Sequence, residues 1–252
     1  VRIAVLLPTF DEAALLTTLA SVRDEAIASG GSAEPALAVT VFVVDDGSRV
    51  PVRREALEAL LDRRALPGVS GFSLVLARHR VNLGQGAALE TARRLALAHS
   101  AHEPFDAYVT MDADGQHRAA DLAALVRPLA AGADVVFGNR FTGGTEIPKV
   151  RALVLRAARL LEWALTGLRL GDAHNGFRAF DERGIRAVRM HQRGMAHATE
   201  IRQEVARAGL VVAEAPVRVQ YDEASLAKGQ RSWGALAILR DILYKYLFAG
   251  VS

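Results

Sequence analysis

A chain of 252 residues, 51% hydrophobic and 23% charged, can bury a sizeable core, which excludes a disordered polypeptide. It contains no cysteine, which excludes disulfides, thiolate metal sites and thiol catalysis. The formal net charge is +3 and no lysine/arginine block is dense, which argues against a nucleic-acid partner.

The first half alternates apolar strands with helical patterns. Arg2 to Leu7 predicts a strand and Glu12 to Ile27 a helix. Ala38 to Val44 and Phe72 to Ala77 predict strands, followed by helices at Val52 to Arg64 and Gly86 to His99. Ala107 to Met111 is a strand, Ala119 to Ala131 a helix and Ala133 to Gly138 a strand. Continuous Val/Leu/Phe runs between helices predict an α/β fold with a mostly parallel sheet covered on both faces. Ligands bind outside the carboxyl ends of such strands.

The second half is less regular. Val150 to Leu168 reads as a helix carrying Arg151, Arg156 and Arg159, and Gly171 to Phe180 as a loop and short strand. Thr199 to Ala208 reads as a helix, and Leu210 to Gln220 as a strand broken by Pro216. Arg231 to Phe248 is an apolar helix interrupted by Arg240, Asp241 and Lys245, too short to cross a bilayer but able to lie in its surface. We expect one domain over residues 1–220, with a phosphate-contacting loop and amphipathic helix over 221–252. The chain opens at Val1 inside a strand pattern, so a missing initiator methionine or short start is expected.

Polar clusters follow the strands. The most telling is Asp112-Ala113-Asp114-Gly115, continued by Gln116-His117. Carboxylates spaced i, i+2 at a strand end can converge on one hard divalent cation, which can hold a diphosphate. The competing explanation is local, since aspartates also serve turns and helix caps. Pro8-Thr9-Phe10-Asp11-Glu12, Asp45-Asp46-Gly47-Ser48, Arg78 to Gly86 and Asn139-Arg140 follow the other strands, and together the clusters would form one rim.

These residues resemble a known family, the inverting glycosyltransferases of family 2. Pro8-Thr9-Phe10-Asp11-Glu12 is similar to its P-x-[YF]-[ND]-E opening, and Val43-Val44-Asp45-Asp46-Gly47-Ser48 to its V-D-D-G-S signature. Asn82-Leu83-Gly84-Gln85-Gly86 matches N-x-G-x-G, Asp112 to His117 matches D-A-D-x-Q-H, and Gly138-Asn139-Arg140 matches G-x-R. Asn175-Gly176-Phe177-Arg178-Ala179-Phe180 resembles the [SN]-G-F-R-x-F segment of the dolichol-phosphate mannose synthase-like branch, which uses polyprenyl phosphates as acceptors.

The resemblance implies a GT-A fold, a nucleotide-sugar donor and Mg²⁺ or Mn²⁺ on Asp112 and Asp114, with Gln116 as a further ligand or diphosphate contact. It implies a nucleotide pocket from Pro8, Thr9, Phe10, Asp11, Glu12, Asn82, Gly84, Asp112 and Ala113. Either Asp45 or Asp46 would accept from the base or ribose, and the other would be a turn residue. Arg140, Arg178, Lys228 and Arg231 would reach phosphate oxygens. A hydroxyl acceptor would need a general base, for which Glu200 and Asp172 are the candidates. A phosphate acceptor is already ionised at neutral pH and needs cations more than a base. The chain lacks the Q-x-x-R-W segment of processive synthases, so polymer synthesis is not expected. The polyprenyl-phosphate branch implies a cytoplasmic enzyme resting on the inner face of a membrane, directly or through a separate membrane partner, or else a piece of a longer protein. Two rival expectations are transfer to a hydroxyl of a glycan or glycolipid, and a non-catalytic nucleotide-sugar-binding scaffold.

Overall fold

The computed structural model describes residues 1–29, 36–60, 71–143, 163, 166–172, 175–194 and 196–220. Seven strands form one sheet: β1 (Arg2–Thr9), β2 (Ala38–Asp45), β3 (Phe72–Arg78), β4 (Ala107–Thr110), β5 (Val135–Asn139), β6 (Arg178–Phe180) and β7 (Val212–Pro216). Their spatial order is β3-β2-β1-β4-β6-β5-β7. The described helices are α1 (Leu15–Ser29), α2 (Arg54–Leu60), α3 (Gln85–Ser100), α4 (Leu122–Ala130), α5 (Glu182–Ala187) and α6 (His197–Arg207). The α/β class expected from the apolar runs is what is found.

The reason lies in the pleat. Successive β1 side chains point to opposite faces. Ile3, Val5 and Leu7 join Leu15, Leu19 and Val22 of α1 in one core layer. Ala4 and Leu6 join Ala88, Leu89 and Ala92 of α3, with Ile201 and Val205 of α6, in the other. A strand buried on both faces must be apolar throughout, which is why it carries no polar alternation. Each fully buried Val, Leu or Ile contributes roughly 1.5–3 kcal/mol.

Among the described strands, β6 alone runs against its neighbours. It lies antiparallel between β4 and β5, with Arg178 opposite both Thr110 and Phe137. Its first residue therefore sits at the edge where the parallel strands finish. The expectation of a mostly parallel sheet holds, and this reversal is what brings Arg178 to the ligand edge.

Several boundaries shift for local reasons. The first helix starts at Leu15, not Glu12, because Asp11 turns through φ 48. The last strand covers only Val212–Pro216 of the expected Leu210 to Gln220, ending at the proline. Most of Val150 to Leu168, the tail helix, Lys228 and Arg231 fall outside the described residues. No described helix is long and apolar enough to cross a membrane.

Candidate active site

A cavity of about 490 Å³ opens at the carboxyl edge of the sheet. Pro8, Thr9, Phe10 and Glu12 line it from the end of β1, and Asp46 from the end of β2. Asn82, Gly84 and Gln85 enter from the loop after β3, and Asp112, Ala113 and Asp114 from the end of β4. Gly176 and Arg178 come from the start of β6, and His197 and Ala198 from the start of α6. Thr9 Oγ1 is buried in this wall and has no hydrogen-bond partner among the described residues. Such a group is what a bound ligand would satisfy.

The two aspartates after β2 take different duties. The Asp45 carboxylate accepts from the Ser48 and Val52 N–H groups and pairs with Arg78 Nε at 3.2 Å, fully buried. Burial opposes its ionisation, but the Ser48 and Val52 bonds and Arg78 outweigh that and hold its pKa below the ordinary value. Asp45 is thus the turn residue of the pair, and Asp46 is the one that reaches the cavity. Because the folded pKa is depressed, Asp45 adds stability that is fully present above about pH 4 and lost as pH falls through the lower folded value. Asp45→Asn is expected to cost about 2 kcal/mol at neutral pH. The acid arm of its pH–stability curve, followed by urea melts, should be flatter than that of the unsubstituted protein.

Asp112 is gripped from two sides. Gln85 Nε2 donates to Oδ1 at 2.8 Å, and His117 Nε2 lies 3.3 Å from Oδ2. The His117 ring stacks on Phe177, 5.0 Å between centroids. Burial pushes against ionisation of Asp112, yet the His117 hydrogen bond and the charges of His117, Arg178 and His197 hold its pKa below the usual value. Asp114 behaves oppositely. Burial raises its pKa, and the charges of Asp112 and Glu12 raise it further against the Gln116 N–H bond. A divalent cation would relieve that repulsion. No set of three His/Asp/Glu ligands is assembled among the described residues.

His197 presents a defined face. Its Nδ1 lies 2.9 Å from Gly194 O, and a carbonyl only accepts, so Nδ1 carries the hydrogen. Burial and Arg178 push its pKa below the ordinary value, so the ring is neutral near pH 7 and Nε2 is an acceptor.

The family model for glycosyl transferase family 2 matches residues 4–189. The chain belongs to this family. Among similar chains is the undecaprenyl-phosphate mannosyltransferase of Micrococcus luteus, 28% identical over 92% of this chain and 88% of that one. The UDP-N-acetylglucosamine–dolichyl-phosphate N-acetylglucosaminyltransferase of Methanococcus voltae is 26% identical over 75% of this chain and 78% of that one. Of solved structures, the glucosyl-3-phosphoglycerate synthase of Mycobacterium tuberculosis with Mn²⁺ and UDP-glucose matches with a TM-score of 0.56 at 20% identity, covering 94% of this chain and 77% of that one. That likeness establishes the GT-A fold.

Of the residues expected to bind a nucleotide, Pro8, Thr9, Phe10, Glu12, Asp46, Asn82, Gly84, Asp112 and Ala113 all line the cavity. Asp114 and Arg178 join them. Asp11 instead accepts from the Arg49 backbone and side chain, tying the β1 and β2 loops together. Gln116 gives its backbone N–H to Asp114 and is not part of the cavity wall.

The expected rim is broken at β5. Because β6 lies between β4 and β5, Arg140 falls to one side of the cavity, where its guanidinium is buried against Asp172. Neither residue is part of the cavity wall, where a phosphate contact and a general base were expected. Glu200 is tied to the loop before α6, its Oε2 accepting from the His191 and Gln192 N–H groups, and it is not part of the cavity wall. Gln85, Gly176 and His197 belong to the wall but were not among the expected site residues. Gln85 occupies a variable position inside N-x-G-x-G, Gly176 lies inside a recognised segment, and His197 has no motif around it.

Proposed function

We propose that this protein transfers a hexose from a nucleotide sugar to a polyprenyl phosphate, with inversion, at the cytoplasmic face of a membrane. The observation that carries this reading is the fate of the two candidate bases. Asp172 is committed to Arg140, and Glu200 to the 191–192 backbone, while buried Arg178 lines the cavity. That wall favours an acceptor that arrives ionised, and the polyprenyl-phosphate transferases among the relatives agree with it.

In this reading the acceptor phosphate oxygen attacks the anomeric carbon as the bond to the nucleoside diphosphate breaks. Arg178 is buried in the cavity wall, where low local dielectric would strengthen its attraction for the phosphates. Asp112 and Asp114 would hold Mg²⁺ or Mn²⁺, which when bound offsets the charge growing on the leaving diphosphate. Gln85 and His117 keep Asp112 in place. Thr9, Phe10, Asp46 and Asn82, which line the cavity, would hold the nucleotide. Residues 221–252, including Lys228 and Arg231, would supply further phosphate contacts and the surface that meets the lipid or a membrane partner.

His197 supports a second reading, transfer to a sugar hydroxyl, because a neutral imidazole acceptor in the wall can take a proton. One experiment separates the two. His197→Asn and Glu200→Gln are assayed with radiolabelled UDP- and GDP-hexoses against short-chain polyprenyl phosphate and against glycolipid extracts. Transfer to the phosphate within about tenfold of the parent in both variants supports the phosphate acceptor. Loss of about 10²-fold or more on His197→Asn, with donor binding kept, supports the hydroxyl.

A further inference from the structure

Asp46 is 2% exposed, and its carboxylate is already nearly saturated. A carboxylate offers about four acceptor positions. Oδ1 accepts from His79 Nδ1 at 2.7 Å and from the Leu83 N–H at 3.0 Å. Oδ2 accepts from the Gly84 N–H at 2.7 Å. One position, on Oδ2, is left for a ligand. Asp45 does not add to it, because its own oxygens serve Ser48, Val52 and Arg78.

His79 is what closes Oδ1. Facing a carboxylate, its Nδ1 is the donor. Its Nε2 lies 2.9 Å from Thr91 Oγ1, and that hydroxyl lies 3.0 Å from the Ala87 carbonyl on the same helix. The imidazole is therefore pinned between the end of β2 and α3 and cannot swing away to free the oxygen.

We propose that His79 is a positioning residue that leaves Asp46 a single acceptor, so that the site selects a base presenting one N–H, as uracil does, over guanine. This rests on the nucleotide-sugar reading above and names the donor class within it. Uracil offers N3–H alone, which one oxygen satisfies. Guanine offers N1–H and N2–H side by side and needs both oxygens of a carboxylate. With Oδ1 filled, one guanine donor would be buried without a partner. Cytosine and adenine fit worse, since each sets an unprotonated ring nitrogen beside its amino group, facing the carboxylate lone pairs.

The test is calorimetric titration of UDP and of GDP, with Mn²⁺, into the parent protein, His79→Ala and His79→Asn. The parent should bind UDP at least about tenfold more tightly than GDP. His79→Ala opens Oδ1, and the ratio should shrink to within about threefold. His79→Asn sets an amide N–H near the position of Nδ1 and should restore the parent ratio. A general loosening of the loop would weaken both nucleotides alike. An unchanged ratio in His79→Ala therefore overturns the role given to His79. GDP binding as tightly as UDP, or tighter, in the parent protein overturns the base assignment, and that result is readable even if His79→Ala does not fold. Neither nucleotide binding a folded parent protein sinks the nucleotide-sugar reading itself, an outcome distinct from a GDP preference.

Discussion

Asp114→Asn should lower turnover by about 10³-fold while raising the melting temperature of the metal-free protein. The two effects share one cause. Asp114 sits in the cavity wall with its pKa raised by burial and by the charges of Asp112 and Glu12. A carboxylate whose folded pKa lies above its unfolded value favours the fold while protonated, and that contribution is lost as pH rises through the folded value. Where the group is ionised it is therefore a cost to the fold, which a cation held there would offset. Asparagine keeps the shape and drops the charge. Solvent at the cavity mouth limits the gain to about 1 kcal/mol, or roughly 2–4 °C for a chain of this size. The gain should fade in acid, where Asp114 is protonated in both states. Scanning calorimetry with and without Mn²⁺ checks this, since the ion should raise the melting temperature of the parent and not of the variant. A variant that melts lower than the parent without metal, or that still gains stability from Mn²⁺, would contradict the assignment.

Gly176→Ala should cut turnover by about 10²-fold or more in a protein that still folds. A Cβ at this position would overlap Asp112 Oδ2 and lie 3.0 Å from its Cγ. The backbone has little freedom to retreat. Thr110 Oγ1 donates to Gly176 O at 2.7 Å, and Asn175 Oδ1 accepts from the Phe177 N–H at 3.0 Å. Immediately beyond, β6 is clamped between β4 and β5. Asp112 must therefore move, and it loses its contacts with Gln85 and His117 as it does. A misplacement of about 1 Å in a group that orients the reacting atoms is enough for a loss of this size. Overpacking should cost about 1–3 kcal/mol of stability. Circular dichroism melts alongside UDP and GDP titrations with Mn²⁺ distinguish a folded, weakly binding variant from an unfolded one. Unaltered metal-dependent nucleotide affinity would show that Asp112 does not need its present position.

The sequence made the first five strands legible because β1, β2, β4 and β5 are buried on both faces and cannot hide their apolar runs, and β3, half-buried at the edge of the sheet, still carries one. Much of the cavity wall was legible for a related reason, since its residues follow directly on those strands. The direction of β6 was not. Three residues, Arg178 to Phe180, carry no mark of whether they pair parallel or antiparallel. With that direction unknown, Arg140 looked like a neighbour of Asp112, although a strand lies between them. Glu200 and Asp172 were legible as carboxylates at suggestive places, but what a carboxylate bonds to depends on loops folded over it. His197 illustrates the converse, as a lone histidine with no motif becomes part of the wall only once α6 docks beside α3.

The place of β6 also governs the order in which the molecule can be completed. Its three residues come from late in the described chain, yet they fill the slot between β4 and β5. Until residue 180 has left the ribosome, the edge of β4 has no partner on that side and stands as an open template for other chains. β1, β2, β3 and β4 can assemble earlier, but the later segment must then insert into the middle of the sheet. Such long-range closure is slow, so the newly made protein spends its most vulnerable interval with half a sheet and an exposed seam.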